Sequence, residues 1–248
     1  MRLHFIIKIT IMKKIIAIAT LAFLMSCDAA TLGKVLDSTL SDGGLSNIDI
    51  GNGLKQALEF GVGDGADKLS QLNGFLDSPY KILLPAEVRK VTDKLQGVPG
   101  FKNVEAEMVK LLNRGAEDAA KSAKPIFVNA IKQMTFRDAT QILMGEKNAA
   151  TLYLQKSTSN PLYSAFSPTI KTSLDRVNAT KYWNDITSKY NSLPFVREKI
   201  NTDLADYVTK QALKGMFGMV AEKELKIRTD IGERSTDLLR KVFAKQDN

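Results

Sequence analysis

Apolar residues recur along most of this chain at three- and four-residue intervals, and the alternation of a half-buried strand is almost missing. That period confines a chain to packed helices. Ile50, Leu54, Ala57 and Leu58 mark one face, and Ala66, Leu69 and Leu72 carry it onward past Gly61, Gly63 and Gly65. Asn73 to Pro79 reads as a loop, and Ile82-Leu83-Leu84-Pro85 as an extended apolar segment that hands over at Pro85 to a helix over 86–95. Val104, Met108, Leu111, Leu112 and Ala116 predict a long helix over about 101–122, and Pro125 opens another. Thr135 and Asp138 carry the spacing of a helix N-cap, after which Gly145 interrupts the period.

Further on, the spacing predicts a helix over 149–156, a separate one opened by Asn160-Pro161 and running to Val177, and a third over 180–193 stopped by Pro194. Asp203 begins a long run through Ile227, and Thr236 begins the terminal helix with Leu238, Leu239, Val242 and Phe243. The expected fold is all-α, a single globular domain of about eight to ten helices over residues 46–248. No fixed period of solenoid length appears.

Two rare residues narrow the chemistry. His4 is the only histidine and Cys27 the only cysteine among 248 residues. If residues 1–26 are removed, the mature chain has no histidine, which excludes Ser-His-Asp and Cys-His nucleophiles and His-ligated metal centres. One cysteine also excludes an internal disulfide and any Cys-x-x-Cys site. No metal and no cofactor is expected.

Removal of 1–26 is what the leader suggests. Lys13-Lys14 precede the apolar stretch Ile15 to Met25, followed by Ser26-Cys27. A cationic start, a short apolar run and a small residue make a signal peptide. Eleven residues rise only about 16 Å as a helix, roughly half the thickness of a hydrocarbon core. Met12 before the two lysines is an alternative start to Met1.

Leu24-Met25-Ser26-Cys27 resembles the lipobox of bacterial lipoproteins, with Met25 the looser fit. That resemblance implies cleavage before Cys27 and acylation of its thiol and new amine, so the membrane would be a partner through Cys27. An ordinary secretory signal that happens to contain a cysteine is the other reading. Residues 27–45, small, polar and Gly-containing, then form a tether. The expected location is the bacterial cell envelope, on the outer membrane facing the periplasm. Asp28 after the cysteine keeps the inner membrane and the cell surface open as alternatives.

Charge points away from nucleic acid. The formal charge of +8 includes four basic residues of the leader, whose loss leaves 31 bases against 27 acids, or +4. The remaining charges are interspersed, with no basic stripe of the kind a nucleic-acid surface needs.

Several linked stretches are similar to the bacterial domain of unknown function 4197 family. They are Asn113 to Ala120, Lys124 to Phe127, Ala130 to Thr135 with Asp138-Ala139, Lys189 to Phe195, Asp206 to Thr209, and Arg234 to Leu239. The resemblance spans roughly Leu45 to Phe243. Gly115 stands where the pattern leads us to expect Ala, and Ser235 where we expect Thr. The family implies an envelope location and a helical fold, and supplies no catalytic residues.

Within that pattern Asn113, Arg114 and Glu117 fall on neighbouring helix positions. They could line a polar ligand cleft, or form an intrahelical ion pair that locks the helix to its neighbours. Gly61-Val62-Gly63-Asp64-Gly65 imitates part of a dinucleotide fingerprint, but no strand precedes it, so a hinge or close helix packing is expected. The acid pairs Glu105/Glu107, Asp203/Asp206 and Glu222/Glu224 could supply two carboxylates to a glycosidase, although residues two apart project from different helix faces. Met216, Phe217 and Met219 form an apolar stripe expected in the core, as are Tyr182, Trp183 and Tyr190.

The functional expectation is a non-enzymatic, lipid-anchored envelope protein that binds an envelope protein or a small apolar ligand. Its alternatives are a carboxylate-dependent hydrolase of envelope polymer and a purely structural spacer.

Overall fold

The computed structural model describes residues 46–86, 88–90, 103–192, 194, 196 and 199–244. The leader, Cys27, the tether and the expected helical stretch over 91–95 lie outside the described residues. Among the described residues there are eight α-helices of seven residues or more, further helical residues at 86 and 88–90, one short 3-10 turn and no strand. The helices are α1 (Asn47–Leu69), α2 (Val104–Ala120), α3 (Ala123–Gln133), α4 (Phe136–Leu143), α5 (Ala149–Asp175), α6 (Ala179–Asn191), α7 (Leu204–Thr229) and α8 (Asp237–Phe243). The all-α expectation holds.

Three long helices organise the rest. α7 packs against both α5 and α1; α5 also carries α2 and α3, while α1 carries α3, α4 and α8. Helix starts follow the sequence signals. Thr135 Oγ1 accepts from Asp138 N at 3.1 Å and Thr135 N donates to Asp138 Oδ2 at 3.0 Å, a reciprocal capping box. Asp203 and Thr236 accept from Asp206 N and Leu239 N at the starts of α7 and α8.

The core includes Leu54, Leu69, Phe75, Phe127, Leu154, Phe166, Trp183 and Phe243, all essentially inaccessible. Phe127 meets Phe217 edge to face, with ring centroids 5.9 Å apart at 84°. Met216, Phe217 and Met219 are buried, as the stripe suggested. Trp183 is buried too and stacks on Tyr207 at 5.9 Å, but its neighbour Tyr182 points outward at 60% exposure.

α5 departs from the sequence expectation. It runs unbroken from Ala149 to Asp175 through Pro161 and Pro168, where two helices were expected. Ala150, Leu154, Thr158, Leu162, Phe166, Ile170 and Leu174, each four residues on from the last, form one buried stripe, and both prolines fall on the exposed side of it. Tertiary packing of that stripe outweighs the hydrogen bonds the prolines remove. Along the same helix, hydroxyls donate to carbonyls one turn back, Ser157 to Tyr153 O, Ser159 to Gln155 O and Thr172 to Pro168 O.

The glycine run of α1 likewise leaves the helix intact. A methyl on Gly65 would lie 2.9 Å from Met219 Cγ, so this glycine permits the close approach of α1 and α7.

Candidate functional site

The structure brings Arg114 and Glu117 together and sends Asn113 elsewhere. All three lie on α2. Glu117, 3% exposed, accepts from Arg114 Nη1 through Oε2 at 2.5 Å. Its other oxygen, Oε1, accepts the consecutive backbone N–H groups of Phe75 and Leu76 at 3.2 and 3.3 Å. Arg114 Nη2 also donates to Asn73 Oδ1 at 2.7 Å, and Asn73 occupies the left-handed region at φ 67°. The ion pair thus grips the tight loop that follows α1.

Asn113 is fully buried and makes a different grip. Its Oδ1 accepts from Ile82 N at 2.8 Å, and its Nδ2 donates to Ile82 O at 2.9 Å and Val109 O at 2.7 Å. One carboxamide thereby replaces the strand partner that the extended segment at Ile82 lacks. Asn191 repeats the device on Ile200, with both contacts at 2.8 Å. Asn113 and Glu117 face backbone in the interior, Arg114 is partly exposed and bonded to side chains, and none of the three lines the grooves described below.

A second buried cluster carries more charge. Glu224 Oε1 accepts from Ala150 N at 2.9 Å, and Oε2 accepts from Thr151 N at 2.8 Å and Thr151 Oγ1 at 2.7 Å. Arg228 donates to Glu224 Oε1 through Nε and Nη2, and to the carbonyls of Leu143 and Ile142 through Nη1 and Nη2. Arg234, 1% exposed, donates to the carbonyls of Ile227 and Arg228 at the end of α7. Sequence reading weighed Glu224 only as half of an acid pair. Its four-residue spacing from Arg228 was the available signal.

Glu222 and Glu224 do not converge. Glu222 is exposed and accepts from Tyr80 OH at 2.6 Å, while Glu224 is buried on another face of α7. Burial and the Glu222 carboxylate together push the Tyr80 phenol well above its ordinary value. Asp203 caps the helix on which Asp206 accepts from Tyr163 OH, Asn201 Nδ2 and Lys210 Nζ. Among the described residues no group of three or more His, Cys, Asp or Glu side chains could hold a metal ion, and no helix is long and apolar enough to cross a membrane.

Concave surface is found between α3 and α5, where a groove of about 400 Å³ is lined by Pro125, Ile126, Asn129, Ala130 and Gln133 on one wall. Tyr153, Ser157, Thr158 and Pro161 form the other. None of these nine side chains is charged, in a chain with 25% charged residues. By contrast, the 370 Å³ groove between α1 and α7 is lined by Asp64, Asp67, Lys68, Glu222, Lys223 and Lys226 among others.

The model of the family described as protein of unknown function, DUF4197, matches residues 44–244. The chain belongs to that family. The matched stretch takes in every helix among the described residues, so the Asn113, Glu117 and Glu224 clasps and the uncharged groove all sit inside the DUF4197 region. No curated protein and no solved structure matches the chain.

Proposed function

We propose that this DUF4197 protein is a lipid-anchored bacterial envelope protein, held through acylated Cys27, whose helical body binds a small apolar ligand in the groove between α3 and α5. The observation that carries the reading is the uncharged lining of that groove. Pro125, Ile126 and Pro161 offer apolar surface, each square ångström of which contributes about 25 cal/mol when it leaves water. Asn129, Gln133 and the Tyr153 hydroxyl supply a few polar groups to orient an occupant, the usual balance of a small-molecule site. The sequence around Cys27 supports the anchor, and several acyl chains hold where one would exchange.

Two experiments test the two halves. Organic extracts of protein purified from its own membranes, compared by mass spectrometry with extracts of Ser157→Trp, should yield a compound that the variant lacks. Ser157 is an exposed lining residue, so the indole fills the groove without overpacking the core. Identical extracts would refute the groove. Cys27→Ser should abolish acylation and lower the membrane-bound fraction; an unchanged fraction with unchanged mass of the mature chain would refute the anchor.

A further inference from the structure

The end of the body at which α1 begins carries apolar surface. Ile48 is 58% exposed and Phe136, the first residue of α4, is 46% exposed. Gly51 lies directly under the Phe136 ring, so close that a methyl there would overlap it. Ile48, Gly51 and Lys55 follow one another at three- and four-residue spacing on α1, which places Ile48 beside that ring. Lys55 Nζ stands 5.6 Å from the Phe136 centroid and donates to Lys132 O, tying α1 to the last turn of α3. Lys132 and Arg137 are exposed around the same spot, and Asp49 and Asp138 are the acids in the first turns of α1 and α4, with Glu59, Asp64 and Asp67 further along α1. Asp138 is already committed to the cap of α4.

We propose that this face, centred on Ile48 and Phe136, rests on the phospholipid surface to which Cys27 anchors the chain. The inference depends on the anchoring reading and goes beyond it, because it assigns an orientation. Its argument is the chain between anchor and body. Only 18 residues separate Cys27 from Ser46, and Ser46 adjoins Asn47, the first residue of α1. Even fully extended they reach no more than about 65 Å, so the bilayer stays within that radius of this end of the body. Tethering at such distances makes a weak contact effectively intramolecular, and two apolar side chains with Lys55, Lys132 and Arg137 beside them then suffice. Leu72, the most exposed large apolar side chain among the described residues at 78%, sits past the other end of α1, a 23-residue helix about 34 Å long. Gln133, which lines the uncharged groove, follows Lys132 directly, so one end of the groove lies beside the proposed membrane face.

Fluorescence quenching in phosphatidylglycerol-containing vesicles with brominated acyl chains tests this on the mature, lipidated full chain. Trp183 is the only tryptophan and is 1% exposed, so it gives a shielded background. Phe136→Trp and Ile48→Trp should each lose most of their added emission in these vesicles, and Leu72→Trp should keep its own. Equal quenching at all three positions, or none at 48 and 136, overturns the orientation while acyl mass on Cys27 still upholds the anchor. Emission from Phe136→Trp that shifts to the blue without lipid quenching means a protein covers the face, and likewise overturns it. A mature chain without acyl mass removes the anchor and the orientation together.

Discussion

Arg228 and Glu224, one turn apart on α7, join the end of one helix to the start of another. Arg228 donates to the carbonyls of Ile142 and Leu143, the last two residues of α4, and Glu224 accepts from the N–H groups of Ala150 and Thr151 at the start of α5. These are backbone groups that a helix leaves without partners, and each meets the charge its dipole favours. Both side chains are about 5% exposed, so the pair substitutes for solvent at a buried corner.

Removing one partner strands the other charge in the interior. Glu224→Gln should therefore cost about 3–5 kcal/mol in urea unfolding, the range for breaking a buried pair. Glu224→Leu combined with Arg228→Met should cost clearly less than the sum of the two single changes. Strict additivity would show that the pair is not coupled.

Asn113→Leu keeps side-chain size but leaves Ile82 N–H and Ile82 O without the partner they have now. A loss of about 2–3 kcal/mol is expected from two buried backbone groups. Hydrogen exchange at Ile82 should accelerate more than exchange in α7. Equal acceleration would mean that the clasp acts only through global stability.

Much of this was legible beforehand, and what escaped has a common cause. Caps at Thr135, Asp203 and Thr236 are local chemistry, readable from three-residue spacing. The extended stretch at Ile82 was legible from Leu84-Pro85, but its partner was not, since Asn113 lies 31 residues away. Pro161 misled because local rules judge a proline without its surroundings. The four-residue stripe from Ala150 to Leu174 was visible in the same segment and outranks it. Arg114 and Glu117 form the ion pair that their spacing allowed; the backbone of Phe75 and Leu76, which Glu117 holds, left no sequence signal.

Acid should loosen the contact between α5 and α7. Burial works to raise the Asp206 carboxyl, but hydrogen bonds from Lys210 and Tyr163, with the Lys210 charge and Asn201 beside them, prevail and hold it below its ordinary value. A depressed folded-state value gives stability that is present above the unfolded value, near pH 4, and lost as the pH falls through the folded one. The urea midpoint should therefore fall below about pH 4, and Asp206→Asn should flatten that acid limb. An unchanged limb in the variant would assign the loss to other carboxylates.

Two glycine-to-alanine changes should act in opposite directions. A methyl on Gly115 meets Ile170 and Ser173 at 3.8 Å, ordinary contact, so Gly115→Ala should stabilise by up to about 1 kcal/mol through helix propensity. A methyl on Gly218 would overlap the Tyr80 ring that is hydrogen-bonded to Glu222. Gly218→Ala should destabilise despite the same gain in propensity. Thermal melts of both decide it, and a stabilised Gly218→Ala would show that Tyr80 is free to move.

The most direct test of the account is the intact mass of the protein taken from its own membranes. The expected species begins at Cys27 and carries the mass of a diacylglycerol and an amide-linked acyl chain. A mature chain that begins elsewhere, or begins at Cys27 with no acyl mass, would contradict the anchor on which both the proposed function and the orientation depend.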